Sequence, residues 1–166
     1  PVIGYDSGEG GLRKIEKNDP NGGSTMLAET IDTSSESFIL SYDVKRDNFN
    51  GGTQDRVAIT NSDGDGIGLG ISNSATNSEE MYIEKREGTY STWQTSRENI
   101  GNLTDWNTVT LLYSKESNTF TGYINGNFIK VENARDKMPN ILSHFYVHGG
   151  YEFLVDNIKV IKVKED

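Results

Sequence analysis

The sequence predicts an all-β domain, a sandwich or a barrel, and three observations predict it. Short runs alternate apolar and polar residues with a period of two, turn residues punctuate them, and no window carries the spacing of an amphipathic helix. The stretch from Trp106 to Glu132 holds the clearest signals. Val109, Leu111 and Tyr113 alternate with Thr108, Thr110 and Ser114; Ser117-Asn118 breaks the run. A second strand, Phe120 to Ile124, ends at Asn125-Gly126, a dipeptide whose two residues accept the positive φ of a two-residue hairpin. Phe128, Ile129 and Val131 carry a third strand. Such a meander needs a second layer over its apolar face.

In chain order, Gly4 to Gly11 is too rich in glycine for a helix and carries two carboxylates, Asp6 and Glu9. A short strand is predicted at Leu12 to Lys17, a turn at Asn18 to Gly23 and a weak strand at Met26 to Thr30. Ser37 to Lys45 is a strong strand, with Phe38, Leu40, Tyr42 and Val44 on one face and Ile39, Ser41, Asp43 and Lys45 on the other. Asn48 to Thr53 is a loop. Asp55 to Thr60 sends Val57 and Ile59 one way and Arg56 and Ala58 the other. In Ile67 to Ser72, Gly66, Gly68 and Gly70 interleave with Ile67, Leu69 and Ile71. Glycines in alternation imply a bulge or a place where another group approaches the backbone.

Met81 and Ile83 mark a further strand with Tyr82, Glu84 and Arg86 opposite, and Tyr90 to Thr95 carries Trp93. Ala134 to Asn140 reads as a loop or a single helical turn ended by Pro139. Leu142 to His148 sets Phe145 and Val147 against His144, Tyr146 and His148. In Glu152 to Val163 the apolar phase slips between Val155 and Ile158, which places a β-bulge at Asp156-Asn157. The charged tail, Lys162 to Asp166, reads as solvated chain.

A length of 166 residues suits one domain, here residues 1–166, with a full core. Apolar residues make up 33%, and 18 glycines raise the small and apolar share toward that of an ordinary folded protein. With 16 basic and 25 acidic residues the net charge is -9, which argues against nucleic acid and anionic lipid as partners. No window is apolar enough for a helical membrane span. The start at Pro1-Val2 reads as a mature or excised module, consistent with a secreted bacterial product. The lack of cysteine excludes disulfides and thiolate chemistry.

Ser37 to Lys45, then the Trp106 meander, then Phe153-Leu154-Val155-Asp156-Asn157-Ile158-Lys159-Val160 resemble the concanavalin A-like jelly roll, in particular laminin-G-like domains and bacterial carbohydrate-binding modules. The resemblance spans most of the chain and implies two antiparallel sheets, the curved inner one carrying a sugar-binding groove. It also implies a structural Ca2+ tying the first strand to the last, with Asp156 as one ligand and Asp6 or Glu9 completing an oxygen cage. The plain alternative is that Asp156 caps the bulge. The N-terminal wording departs from the more usual Phe-Glu of such modules. A separate motif, Asn61-Ser62-Asp63-Gly64-Asp65-Gly66, matches the first half of a calcium loop, but the twelfth position is Ser72 instead of glutamate; an Asp-Gly turn between strands is the alternative.

Sugars offer hydroxyls to pair and C–H faces to stack, so a site needs aromatic planes beside amides, carboxylates or guanidiniums. If one parity holds, Asp43, Arg56, Tyr82, Glu84, Arg86, His144, Tyr146 and His148 share such a face, with Trp93 as stacking platform and Trp106 packed in the core. The alternative for each is a solvated face with cross-strand ion pairs. Hydrolases of this fold carry Glu-x-Asp-x-Glu, which Glu79, Glu80, Glu84 and Glu87 do not reproduce in order. Arg56, Tyr146 and a histidine could imitate the base and neutralising group of a uronate lyase. His144 and His148 stand four strand residues apart, too far to hold one metal. The sequence therefore predicts a non-catalytic polysaccharide-binding module, borne beside a catalytic domain in a secreted glycan-degrading enzyme. A lyase of the same fold and a laminin-G-like adhesion or spacer domain are the alternatives.

Overall fold

A computed structural model describes residues 2–3, 13–15, 23–46, 54–73, 79–88, 90–101, 105–134, 138–148 and 153–164. Within them the strands are β1 (Val2–Ile3), β2 (Arg13–Ile15), β3 (Gly23–Asp32), β4 (Glu36–Arg46), β5 (Gln54–Thr60), β6 (Gly66–Asn73) and β7 (Glu79–Glu87). They continue as β8 (Tyr90–Gln94), β9 (Glu98–Gly101), β10 (Asn107–Ser114), β11 (Thr119–Ile124), β12 (Asn127–Asn133), β13 (Ile141–His148) and β14 (Phe153–Lys164). Two antiparallel sheets result. The first runs β1-β14-β4-β10-β11-β12 with β2 also on β14; the second runs β3-β13-β5-β6-β7-β8 with β9 also on β7.

The meander forms as its alternation requires. Asn125 and Gly126 take φ of 48° and 78°, the left-handed pair that matches hairpin twist, and Asn118 takes 55° at the preceding turn. Phe38, Leu40, Tyr42, Val44, Val109, Leu111, Tyr113 and Phe120 of the first sheet meet Val57, Ile59, Ile67, Leu69, Ile71, Met81, Ile83 and Phe145 of the second, all buried in one core. Phe38, Tyr113 and Phe120 stack in tilted succession at 5.5 and 5.6 Å between ring centres.

Two lysines fasten the sheets along their sides. Lys130 of β12, itself buried, donates to Ser96 O at 2.7 Å and Ser96 Oγ at 2.9 Å beside β9, and pairs with Glu132 at 3.2 Å. Lys162 of β14 pairs with Glu29 of β3 at 3.1 Å and Glu36 of β4 at 3.2 Å.

The predicted bulge is present. Asp156 faces Asp43 and Lys159 faces Ser41, so β14 gains one residue on β4, with Asn157 at φ 51°. Asn157 N donates to Asp156 Oδ1 at 2.8 Å, and Asn157 Nδ2 donates to Asp43 Oδ2 at 2.8 Å. The first strands do pair with the last: Ile3 faces Val160 and Arg13 faces Val155.

Glycine in β6 is demanded by its neighbours. A Cβ on Gly66 would lie 1.9 Å from Ile59 O of β5. Gly66→Ala should therefore force β5 and β6 apart and lower stability by about 1–3 kcal/mol, read as a lower urea midpoint; an unchanged midpoint would contradict this packing.

Candidate sugar-binding face

On the second sheet, backbone pairing sets residues into cross-strand rows. His148, Arg56, Gly70 and Tyr82 form one row; Tyr146, Ala58, Gly68, Glu84 and Gln94 the next; His144, Thr60, Gly66, Arg86 and Ser91 a third. The central strand β6 contributes only glycines to these rows. That bare floor lets side chains from β5 and β7 cross above it and meet.

They meet on one carboxylate. Glu84, 0% exposed, sets Oε1 3.2 Å from Arg86 Nη1 in a hydrogen bond and 3.1 Å from Arg56 Nε in a less well aligned ion pair. Arg86 is 1% exposed and reaches across to β13, where its guanidinium lies 4.8 Å from the centre of the Tyr146 ring. A guanidinium over an aromatic face is attracted by the ring quadrupole. Tyr82 lies across Gly70, whose added Cβ would fall 2.1 Å from the ring. So the group that approaches the glycine backbone is the protein's own tyrosine. Arg97, exposed between β8 and β9, lies 5.0 Å from the centre of that ring and donates from Nη1 to Ser72 Oγ at 2.9 Å.

The structure thus joins Arg56, Tyr82, Glu84, Arg86 and Tyr146, with half-buried His144 in the adjoining row and its Nδ1 2.7 Å from Ser143 Oγ. The backbone of His148 pairs with Arg56; its side chain lies outside the described side chains, and Asp6 and Glu9 lie outside the described residues altogether.

Three placements correct the sequence reading. Asp43 belongs to the outer face of the first sheet, where it accepts from Thr108 Oγ1 at 2.6 Å and from Asn157, because alternation fixes a face but not which sheet owns it. Trp93 packs against the core. A register shift between Lys85 and Arg86 sets Trp93 opposite Lys85, where an unshifted hairpin would set it opposite Glu84 on the outward face. Trp106, predicted to be packed, is 42% exposed. Arg97 was not foreseen; it stands outside any alternating run, and its Ser72 partner is 25 residues away.

The Asn61 loop is a turn. Asn61 Oδ1 accepts the N–H groups of Asp63 and Asp65, each at 2.9 Å, and Asp65 Oδ1 accepts Gly88 N–H at 2.9 Å. Asn61 Oδ1 and Asp65 Oδ1 are thus engaged by the backbone.

Burial raises the Tyr82 phenol above its ordinary value of 10.0, helped by the Glu84 charge and opposed by Arg56, whose side chain hydrogen-bonds it, and by Arg97. Burial also raises Tyr42 of the core, with Tyr82 adding to the effect. Both folded values lie above the unfolded one, so this contribution is fully present below the ordinary phenol value and is lost as pH rises through the folded values. Of the eight tyrosines, these two should ionise only together with loss of the β-sheet circular dichroism signal in an alkaline titration. Ionisation of all eight with the fold intact would contradict their burial.

No protein-family model matches this sequence, and no curated protein matches it. Solved structures do. The globular domain of T. cruzi calreticulin superposes with a TM-score of 0.70 at 9% identity, over 97% of this chain and 88% of that one. Galectin LEC-6 of Caenorhabditis elegans gives 0.59 at 10%, over 90% and 95%, and the carbohydrate-binding module CBM66 of Bacillus subtilis gives 0.55 at 9%, over 93% and 92%. Identity at this level speaks for the fold alone. The two sheets, their order and these likenesses together make the chain a concanavalin A-like jelly roll.

Proposed function

We propose that this chain is a non-catalytic carbohydrate-binding module that takes a polysaccharide chain on the outward face of β13-β5-β6-β7. The observation that carries the proposal is the Glu84 carboxylate shared by Arg56 and Arg86, with the Arg86 guanidinium 4.8 Å from the centre of the Tyr146 ring. A sugar needs fixed planar donors beside an aromatic plane, and here the donors are locked by ion pairs before any ligand arrives. Arg56, His144 and Tyr146, each partly exposed, are the groups a ligand touches; Glu84, Arg86 and Tyr82 lie beneath and hold them. Trp93, on the core side, has a packing role. Glu84, bound to two guanidiniums, serves as an anchor, not as a general acid. The proposal extends to a secreted parent enzyme that degrades glycans and bears this module beside its catalytic domain. Likenesses to a galectin and to a carbohydrate-binding module support the sugar reading at the level of fold.

Calcium belongs to the proposal as a structural ion on the last strand, with Asp156 as one oxygen donor and Asp6 or Glu9 as others. Val155 and Val160 of β14 pair with Arg13 and Ile3, so Asp156 falls between the two stretches that frame residues 4–12. The described donors also fit the capping alternative, since Asp156 already accepts the N–H of Asn157. The ion would supply charge neutralisation at the bulge.

A second reading has one observation behind it: Arg56, Tyr146 and His144 share a face, as a uronate lyase would need. Affinity electrophoresis against neutral and uronate polysaccharides, with calcium and again with a chelator, tests both. One or more polymers should retard the protein, Tyr146→Ala should abolish the retardation, and Asp156→Asn should remove any calcium dependence. No retardation by any polymer would overturn the binding proposal in favour of a spacer or adhesion domain, and a rise in ultraviolet absorbance on a uronate would favour the lyase.

A further inference from the structure

Cations gather on the outward face of the second sheet although the chain as a whole carries a net charge of -9. Arg56, Arg86 and Arg97 stand there against Glu84 and half-buried Glu80, whose row holds Ser72 and Asn99. These groups sum to one positive charge, and their depth matters more than their sum. Glu84 is fully buried, and the atom that faces its two arginines is one oxygen shared between them, so its negative charge is enclosed. Glu80 lies one row beyond Tyr82. What the surface offers a ligand is guanidinium.

Two of those guanidiniums converge on one ring. The Arg56 side chain hydrogen-bonds the Tyr82 phenol, and the Arg97 guanidinium lies 5.0 Å from the centre of the same ring. Arg97 is also tied from Nη1 to Ser72 Oγ at 2.9 Å, which fixes its plane. Arginine carries five N–H donors in a rigid fork, and a fork held in place by stacking binds carboxylate or sulfate with little further loss of side-chain freedom. A neutral sugar would use these donors too, but it would bring no counter-charge to Arg97, which pairs with no carboxylate among the described residues, whereas Arg56 already has Glu84 at 3.1 Å.

We propose that the glycan recognised by this face is acidic, its carboxylate or sulfate group seated between Arg56 and Arg97 at the edge of Tyr82. This rests on the carbohydrate-binding reading and narrows its ligand class.

The test is affinity electrophoresis on polygalacturonate and on the same polymer fully methyl-esterified, with chondroitin sulfate and its desulfated form as a second pair and a neutral xylan and galactan alongside. At low salt the protein should be retarded by at least one charged polymer and not by its uncharged twin, and which pair responds tells carboxylate from sulfate. Retardation should fall as salt is raised. Arg97→Gln should weaken binding about tenfold, as loss of a charge-assisted hydrogen bond implies. Because Arg97 is exposed, its thermal melting should match the parent protein. Lys159→Gln, which removes an exposed cation from β14 of the opposite sheet, should leave retardation unchanged.

Equal retardation by each charged polymer and its neutral twin, or by xylan or galactan alone, would overturn the acidic assignment and leave the sugar reading standing. So would binding indifferent to Arg97→Gln, or weakened equally by Lys159→Gln. Retardation by no polymer would overturn both.

Discussion

One buried carboxylate shared by two guanidiniums organises the outward face of the second sheet. Glu84 on β7 sits 3.2 Å from Arg86 of its own strand and 3.1 Å from Arg56 two strands away. Desolvating such charges is expensive, and removal of Glu84 would leave the buried Arg86 without its carboxylate. Such a network is tolerable only if the charged groups can reach one another. The glycines of β6 make that possible, since any side chain on Gly66, Gly68 or Gly70 would stand in the crossing space or in β5 itself. The weakness of glycine as a strand former is thus offset by the meeting of side chains that it permits.

The rest of the fold holds this face in place. The meander of β10, β11 and β12 contributes the opposing half of the core, against which Ile67, Leu69 and Ile71 lock the inner side of the same glycine strand. Gly122 of β11 would carry a Cβ only 3.1 Å from Met81 Sδ, so the sheets approach closely beneath β7. Lys130 and Lys162 fasten opposite sides of the sandwich through partners on both sheets. A rigid underside keeps Arg56, Tyr146 and Arg97 at fixed separations, which is what recognition by oriented donors requires.

Much of this was legible in the sequence, and the failures have physical causes. Alternation identified most of the strands, though not β1, β9 or the extension of β14 to Lys164 into the charged tail, and placed Arg56, Tyr82, Glu84, Arg86, His144 and Tyr146 on outward positions of one sheet. The slip of phase after Val155 located the bulge, and Asn125-Gly126 located the hairpin. Parity says nothing about which sheet a strand joins, so Asp43 was grouped with residues on the opposite side of the molecule. Parity also assumes an unbroken ladder. One register shift at Lys85/Arg86 turned Trp93 inward, and no residue type in that hairpin announces it. Trp106 shows the converse: a large aromatic side chain at the start of a strand need not face the core, because its position there is set by the phase of Val109, Leu111 and Tyr113. Arg97 was invisible because its partners, Ser72 and Tyr82, reach it only through the pairing of β6, β7 and β9.

Exposed Trp106 and Phe128 of the first sheet, the latter edge-to-face with half-buried Tyr123, offer a rival surface of comparable character. Nuclear magnetic resonance separates the two faces directly. With a retarding oligosaccharide titrated into labelled protein, the Arg56 Nε–H signal and the backbone amides of β5, β7 and β13 should shift while those of β11 and β12 stay in place. Shifts centred on Trp106, Tyr123 and Phe128, with Arg56 and Tyr146 unmoved, would contradict the assignment of binding to the Glu84 network.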